Sequence, residues 1–305
     1  MRCYASHFYA MACDCFVQLY APSQVVADRA LDAVMHETQR IEKKYSRFDG
    51  DSYLSFINVE AAQHAVRLDD ESVALIDYAL AAHRMSDGLF DITTGALQLL
   101  WDFDGASMPL DAHIQHALNA VSMEGLAWHD GEIEFLRPGM QLDLGGLGKE
   151  YAVDRAADLL ITMGISHALI NFGGDLRALA SHVDGSPWQI DITHPTFVDR
   201  ALGQVALNQG ALATSGDYVR RVMHNGKYYS HLLHPHTGRG CGALASVTVQ
   251  LPHCLAAGTL STVAMLKGED GKAWLAGLKV PHWWVDGEGE QGGTLSIDSV
   301  FKPLC

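Results

Sequence analysis

The sequence has no long apolar run, and this absence excludes one class of protein at once. None of its 305 residues lies in an uninterrupted apolar stretch of the roughly 18 residues or more that a helix needs to cross a bilayer. The N-terminal residues MRCYASH also lack the unbroken apolar stretch of a signal peptide. We therefore expect no membrane span and a cytoplasmic location.

Basic residues are few relative to acidic ones. The chain has 21 Lys and Arg against 36 Asp and Glu, which gives a formal net charge of −15. Such an acidic protein repels a nucleic-acid backbone, so we expect no nucleic-acid partner. A phosphate-bearing ligand would need local help from helix N-termini, from a nest of N–H groups or from a divalent cation.

The six cysteines include no CxxC pair, the spacing typical of zinc and redox sites. We therefore expect a reducing compartment and mostly inert thiols. Cys13 and Cys15 lie two positions apart in a strand-like run, so they share one face. Packing is a more common role for such a pair than metal binding or redox chemistry.

The chain also lacks internal repeats, low-complexity tracts and obvious linkers. Its content of 48% apolar and 19% charged residues is typical of a globular protein that buries a sizeable core. We therefore predict a single domain over residues 1–305, divided into two sub-lobes that share a cleft.

Hydrophobic periodicity predicts a mixture of strands and helices, and hence an α+β fold. An apolar, β-favouring run predicts one strand from Phe8 to Tyr20. Turn signals predict a hairpin around Arg137-Pro138-Gly139 and another through Asn225-Gly226. The remaining predicted elements are helices over 23–44, 71–85, 151–163 and 256–266, and strands over 168–171, 188–192, 205–207, 245–251 and 281–285.

Three segments rich in small residues each include a carboxylate and lie next to a predicted element. They are DLGGLGKEY at 143–151, NFGGD at 171–175 and ATSGDY at 213–218. Glycine lets the backbone approach a ligand closely, and free N–H groups at a helix start bind phosphate. Together the segments predict a large, phosphate-bearing ligand that is held mostly by backbone.

Three histidines occur in the segment HLLHPHTG at 231–238. Strand alternation would turn His231 and His234 to opposite sides unless a turn begins between them, and Pro235 favours such a turn. The segment is compatible with a three-histidine zinc site of a hydrolase, with a single catalytic or ligand-contacting histidine, or with satisfied polar histidines. Similarly, the hydroxyls of the segment GTLST at 258–262 either cap and pack a helix or contact a cation.

The order of these motifs resembles that of the FAD:protein FMN transferase (ApbE) family, from about Phe8 to the region after Thr262. Any one motif is weak, and their shared order makes the resemblance specific. In chain order the landmarks are AM at 10–11, YSRF at 45–48 with DS at 51–52, GLFDIT at 88–93, DLGG at 143–146 before YAVD at 151–154, NFGGDLR at 171–177, ATSGDY at 213–218, His231 with Pro235 and TG at 237–238, and LST at 260–262.

The resemblance implies an ApbE-like α+β fold with two interleaved lobes, mixed or antiparallel sheets and flanking helices, and a ligand cleft between the lobes. It implies magnesium-dependent transfer of FMN from FAD to a threonine hydroxyl of an acceptor protein, with release of AMP. Some family members instead hydrolyse FAD to FMN and AMP. His231 matches the family's base on the acceptor hydroxyl. The residues that the resemblance places around FAD are Met11, Phe48, Leu89, Phe90, Asp91, Asp143, Lys149, Asp175, Ser215 and Asp217.

The chain departs from the family pattern at the metal site. Gly258 stands where the family has a metal-binding Asp, four residues before Thr262, and Glu150 stands where a glycine is usual. Loss of a carboxylate weakens Mg²⁺ binding, because this hard cation prefers oxygen donors. We hypothesise that Glu150 or another nearby carboxylate substitutes, with Thr262 and the Gly146 carbonyl as the remaining ligands. The alternative is a chain that binds flavin without transferring it.

Overall fold

The computed structural model describes residues 1–103, 107–197, 199–218, 221–224 and 227–298. Its strands, in chain order, are β1 (Arg2–Ala10), β2 (Cys13–Ala21), β3 (Val66–Arg67), β4 (Leu126–His129), β5 (Glu132–Phe135), β6 (Ala168–Phe172), β7 (Asp175–Ala178), β8 (Trp188–Thr193), β9 (Ala201–Leu207), β10 (Gly210–Gly216), β11 (Arg221–His224), β12 (Lys227–Ser230), β13 (Leu244–Leu251), β14 (His282–Asp286) and β15 (Gln291–Gly293). Its helices are α1 (Gln24–Tyr45), α2 (Tyr53–Glu60), α3 (Asp70–Met85), α4 (Gly95–Gln98), α5 (Asp111–Leu118), α6 (Gly148–Thr162), α7 (Cys254–Lys267) and α8 (Asp270–Leu278).

An eight-stranded sheet forms the centre of the fold, in the order β1-β2-β6-β7-β10-β13-β14-β15. Each neighbouring pair in it is antiparallel. In the smaller sheets, β5 pairs with both β3 and β4, β8 pairs with β9, and β11 pairs with β12. Antiparallel strands with helices packed against them are the α+β architecture that the sequence predicts.

Both faces of the central sheet are covered. Because successive side chains of a strand point to opposite faces, Ile170 of β6 packs into a large core shared with α1, α6 and α7, and Leu169 packs into a second core with Trp188 of β8. A third apolar cluster joins α4 and α5 to Leu233. The loops and turns between these three cores bring the glycine-rich segments at 143–151, 171–175 and 213–218 together along one cleft.

The long helices are confirmed, and their N-termini follow the expected capping chemistry. Ser23 accepts a hydrogen bond from the Val26 N–H at the start of α1, and Asp69 accepts one from the Ser72 N–H at the start of α3. Each side chain satisfies a backbone donor that the first helical turn leaves without an intrahelical partner.

The predicted single strand from Phe8 to Tyr20 is wrong, because the chain reverses within it. Met11 and Ala12 adopt φ of 56° and 55° and join β1 to β2 as a tight turn. Such turns usually carry Asn-Gly or Asp-Gly, and Met11-Ala12 has neither signal. The turn has tertiary support, since the Met11 N–H donates to Glu42 Oε1 over 2.7 Å.

The hairpin predicted around Arg137-Pro138-Gly139 is also wrong. The hairpin lies one strand earlier, between β4 and β5, through Asp130 and Gly131, which both have positive φ. The Asp-Gly pair is the stronger hairpin signal, and a type I′ turn favours it. The other predicted hairpin is confirmed by the pairing of β11 with β12, although its turn residues, Asn225 and Gly226, lie outside the described residues.

Candidate functional site

A cleft of about 740 Å³ opens along the central sheet, where the glycine-rich segments meet. Ligand pockets for small molecules typically span about 300–1,000 Å³, so this cleft is large enough for a nucleotide-sized ligand. Its walls come from the β1–β2 turn, the loop after α1, the N-terminus of α6, the β6–β7 turn, β8, β10 and α7.

The structure gathers the predicted site residues in this cleft, with one exception. Asp217 is not among the lining residues; its backbone N–H donates to the Ala245 carbonyl. The predicted residues that line the cleft are Met11, Phe48, Leu89, Phe90, Asp91, Asp143, Gly146, Lys149, Glu150, Asp175, Ser215, His231 and Thr262.

An ion pair occupies the centre of the cleft floor. Lys149, in the first turn of α6, places Nζ 2.6 Å from Asp175 Oδ2 at the start of β7. Asp175 keeps only 4% of its side chain exposed, and its other oxygen accepts the Thr214 N–H. Burial opposes the positive charge of Lys149, but the carboxylates of Asp175 and Glu150 outweigh it and raise the pKa of Lys149. A fixed cation at a helix N-terminus suits an anionic phosphate group.

Glu150 lies beside this pair and is 93% buried, since only 7% of the residue is exposed. Among the described residues, no hydrogen-bond partner faces its Oε2 atom. Burial raises the pKa of Glu150 to about 7, and the nearby Asp175 carboxylate adds to the shift. An ionised carboxylate without a partner is costly to bury, so this position favours a cation.

Hydroxyl groups complete the polar end of the cleft. Ser215 Oγ on β10 lies 2.9 Å from Thr262 Oγ1 and 2.8 Å from Ser261 Oγ, both on α7. Because hydroxyls can donate, accept or bind a metal, this cluster can contact either phosphate oxygens or a cation.

The glycine turns offer a ligand fewer free backbone N–H groups than the sequence predicts. The N–H of Gly145 donates to Asp143 Oδ1, that of Gly173 to the Asp14 carbonyl, and that of Gly174 to Asn171 Oδ1. These donors are therefore engaged within the protein. The N-terminus of α6 has no side-chain cap, and its first turn faces the cleft through Lys149 and Glu150.

An apolar and aromatic wall forms a further part of the cleft lining. Leu89 and Phe90 line it, and Phe48 extends from the rim with 75% of its surface exposed. The guanidinium of Arg47 lies 4.3 Å from the Phe48 ring centroid and 3.4 Å from Asp143 Oδ2. A flat aromatic ligand can stack on such a wall.

Comparison with known proteins agrees with this geometry. A sequence model described as the ApbE family matches residues 11–282, which is most of the chain. The chain belongs to the ApbE family. The ApbE fold inferred from the sequence is thereby confirmed.

Individual relatives of this ApbE-family chain extend the match. It is 30% identical to a FAD:protein FMN transferase of Vibrio cholerae, over 87% of this chain and 81% of the relative. It is 28% identical to one of Haemophilus influenzae, over 87% of this chain and 80% of the relative. The crystal structure of the ApbE protein from Thermotoga maritima superposes with a TM-score of 0.88 at 26% identity, covering 96% of this chain and 97% of the other.

The histidine segment of this ApbE-family chain forms a turn, not a zinc site. His234 accepts backbone hydrogen bonds at its carbonyl from Thr237 and Gly238, and its ring lies 5.5 Å from that of His236. Only His231 of the three lines the cleft. Within the described ranges, no group of three or more His, Cys, Asp or Glu side chains is arranged to hold a metal ion.

The sequence reading missed several lining residues. Tyr218 enters the cleft in place of Asp217, and a Cβ on Gly216 would overlap its ring. Arg47, Asn171 and Cys13 also line the cleft. Arg47 and Asn171 belong to two of the motifs that carry the family resemblance, YSRF at 45–48 and NFGGDLR at 171–177. Their position in those motifs could have indicated that they line the cleft.

Proposed function

We propose that this chain transfers FMN from FAD to a threonine hydroxyl of an acceptor protein and releases AMP, with Mg²⁺ bound. The observation that carries the proposal is the meeting in one cleft of three features: the Lys149–Asp175 pair, Glu150, whose Oε2 atom has no hydrogen-bond partner among the described residues, and His231. Relatives named FAD:protein FMN transferase cover most of the chain and support it. We also propose that residues 1–305 form one ApbE-like domain. We further propose a cytoplasmic location.

The cleft suits both halves of FAD. The aromatic and apolar wall of Leu89, Phe90 and Phe48 offers a stacking surface to a flavin or an adenine. Lys149 offers positive charge to the diphosphate, and Ser215 offers a hydroxyl donor. Met11, Asp91, Asp143 and Asp175 then serve to shape and orient the pocket, and we propose no direct contact for Asp217, which lies outside the lining.

The residues at the polar end fit a magnesium ion. Glu150, Thr262 and the Gly146 carbonyl would hold it, since all three residues line the same cleft and Mg²⁺ prefers oxygen donors. The fit rests on Glu150 Oε2, which is buried and has no hydrogen-bond partner among the described residues. When bound, the ion would neutralise charge on the diphosphate.

His231 would act on the acceptor. Its imidazole takes the proton of the threonine hydroxyl while the hydroxyl oxygen bonds to the FMN phosphorus. The bond between that phosphorus and the bridging diphosphate oxygen breaks, and AMP leaves with the bridging oxygen and the electron pair. Gln98 Nε2 donates to the His231 carbonyl over 3.3 Å and helps to fix this segment at the cleft.

Two related activities remain as second candidates. If water replaces the threonine, the same site hydrolyses FAD to FMN and AMP. If Gly258 leaves the site without enough cation affinity, the chain binds flavin and transfers nothing.

The test uses FAD, Mg²⁺ and a candidate acceptor protein, with mass spectrometry for covalent FMN and chromatography for AMP. Removing the base in His231→Gln should lower the transfer rate by about 10²–10⁴-fold. His129→Gln is the matched control, because His129 is exposed and lies on β4 away from the cleft lining. AMP without labelled acceptor would indicate hydrolysis, and flavin binding without AMP would overturn the proposal.

A further inference from the structure

Two residues of the cleft, Glu150 on α6 and Gly258 on α7, compete for one volume. A Cβ atom built on Gly258 would lie 2.5 Å from Glu150 Cγ and 3.0 Å from both Cδ and Oε1. Such contacts cannot form in a packed interior without displacing one side chain. The carboxylate of Glu150 therefore stands directly over the backbone of α7 because position 258 has no side chain.

One oxygen of the Glu150 carboxylate lacks a hydrogen-bond partner in that place. Its Oε2 atom is buried and has no hydrogen-bond partner among the described residues. Lys149, its neighbour in sequence, directs Nζ to Asp175 instead, at 2.6 Å. Burying a charged carboxylate with an unsatisfied oxygen costs free energy, and a bound cation offsets that cost.

The Glu150 carboxylate shares its part of the cleft with the hydroxyl groups of Thr262 and Ser215. Gly258 and Thr262 are four residues apart on α7 and lie on the same helix face. The Thr262 hydroxyl lies 2.9 Å from Ser215 Oγ, and Thr262, Ser215 and Glu150 all line the cleft. The carboxylate of Glu150, which belongs to α6, thus lies against the face of α7 where a side chain at position 258 would be.

We propose that positions 150 and 258 form an exchangeable pair, in which a single carboxylate ligand for the divalent cation comes from either helix but not from both. In this chain Glu150 supplies it through the gap at Gly258. The inference rests on the proposed function for the identity of the cation. It adds that a carboxylate at position 150 requires a residue without a side chain at position 258.

Cation affinity tests the exchange without any measurement of FMN transfer. The probe is Mn²⁺, followed by its electron paramagnetic resonance signal, with ADP present as an unreactive diphosphate. Glu150→Gln keeps the side-chain shape and should weaken Mn²⁺ binding by at least about tenfold, in the range seen when support for a metal site is removed. Glu132→Gln, at an exposed side chain that begins β5, is the matched control and should bind as the unmodified chain does.

The decisive variant moves the carboxylate to the other helix. Gly258→Asp alone should lower thermal stability, because the new side chain and Glu150 cannot share the volume. Adding Glu150→Gly to Gly258→Asp should restore both stability and Mn²⁺ affinity, the latter to within about threefold of the unmodified chain, since additivity fails for residues in contact. Glu150→Gly alone should bind Mn²⁺ as weakly as Glu150→Gln.

Thermal melting without metal separates ligation from packing. Glu150→Gln should melt no lower than the unmodified chain in EDTA, because it replaces a carboxylate whose charged form burial disfavours with a neutral amide of similar shape. It should lose the stabilisation that excess Mn²⁺ gives to the unmodified chain. Unchanged Mn²⁺ affinity in Glu150→Gln, or no recovery in a folded double variant, would overturn the exchange and leave FMN transfer untouched. Mn²⁺ binding that follows the pattern in a chain that transfers no FMN would overturn the proposed function alone.

Discussion

Cys13 illustrates how a single side chain acquires its chemistry from the cleft. Its thiol lies beside Gly173, where a Cβ would stand 3.1 Å from Cys13 Sγ and 3.8 Å from Lys149 Nζ. A hydrogen bond from Cys15 lowers the pKa of Cys13 against the opposing effect of burial, and Lys149 lowers it further. A thiolate is the nucleophilic form of cysteine, so this arrangement predicts a reactive residue.

We predict that iodoacetamide labels Cys13 faster than Cys241, because burial raises the pKa of Cys241 to about 12. FAD with Mg²⁺ should slow the labelling of Cys13 at least about tenfold, since Cys13 lines the cleft that the ligand would fill. Peptide mass spectrometry at short times measures both rates. Cys3, which is exposed on β1, is the internal control. Equal labelling of Cys13 with and without FAD would contradict the placement of the ligand.

At the same scale, the sequence predicted residue types better than orientations. The segment at 213–218 lines the cleft, but the structure turns Tyr218 into the cleft and not Asp217. Motif position cannot decide which of two adjacent side chains faces a ligand, because that depends on where β10 ends. The sequence suggested that Glu150 substitutes for a carboxylate missing at Gly258, but it could not show that the two residues are in contact, since they lie on two different helices.

At the scale of elements, the cleft depends on how α7 is fastened to α6. Asp154 on α6 accepts the N–H of Cys254 over 3.0 Å and that of Leu255 over 2.9 Å, at the start of α7. The same carboxylate receives Arg177 Nη1 at 2.9 Å and is 9% exposed. Asp154 therefore caps α7 from outside and fixes the helix that carries Gly258 and Thr262.

We predict that Asp154→Ala lowers the free energy of unfolding by about 2–4 kcal/mol, from the lost cap and the broken buried ion pair. It should also weaken Mn²⁺ and FAD binding in the fraction that remains folded, because α7 would shift. Urea denaturation and titration measure the two effects.

Asp158→Ala is the matched control, since Asp158 contacts the same Arg177 over 3.4 Å but has a side chain that is 53% exposed. This variant should change the free energy of unfolding by no more than about 0.5 kcal/mol. A loss of equal size in both variants would argue against the capping role.

The elements themselves were predictable where local chemistry agrees with tertiary structure. Helices α1, α3 and α6 have amphipathic spacing, and α1 and α3 also have side-chain caps. The β1–β2 turn was missed because Met11 and Ala12 adopt positive φ without glycine, which only the surrounding fold can impose. That turn places Met11 in the cleft, so the local departure from turn preferences coincides with the candidate site.

At the scale of the whole molecule, the cleft joins segments that are far apart in sequence. Its lining extends from Met11 to Leu266, and its walls belong to all three apolar cores or their connections. Among the described residues, no helix is long and apolar enough to span a membrane. A ligand that contacts all these segments binds only the folded chain, so it must stabilise the fold as a whole.

We therefore predict that FAD with Mg²⁺ raises the melting temperature, and that removal of the cation abolishes most of the rise. At a ligand concentration about 100 times Kd the gain is about 2.7 kcal/mol. For a chain of 305 residues, with an unfolding entropy of about 2.1 cal/mol/K per residue, this gain corresponds to roughly 4 °C. EDTA should reduce the shift because the net charge of −15 leaves the diphosphate dependent on local neutralisation. Riboflavin is the control ligand, since it retains the flavin ring but has no diphosphate and should give a much smaller shift that EDTA does not change. If riboflavin matches FAD, or if EDTA leaves the FAD shift intact, binding is driven by the aromatic wall and the cation-assisted diphosphate site does not exist.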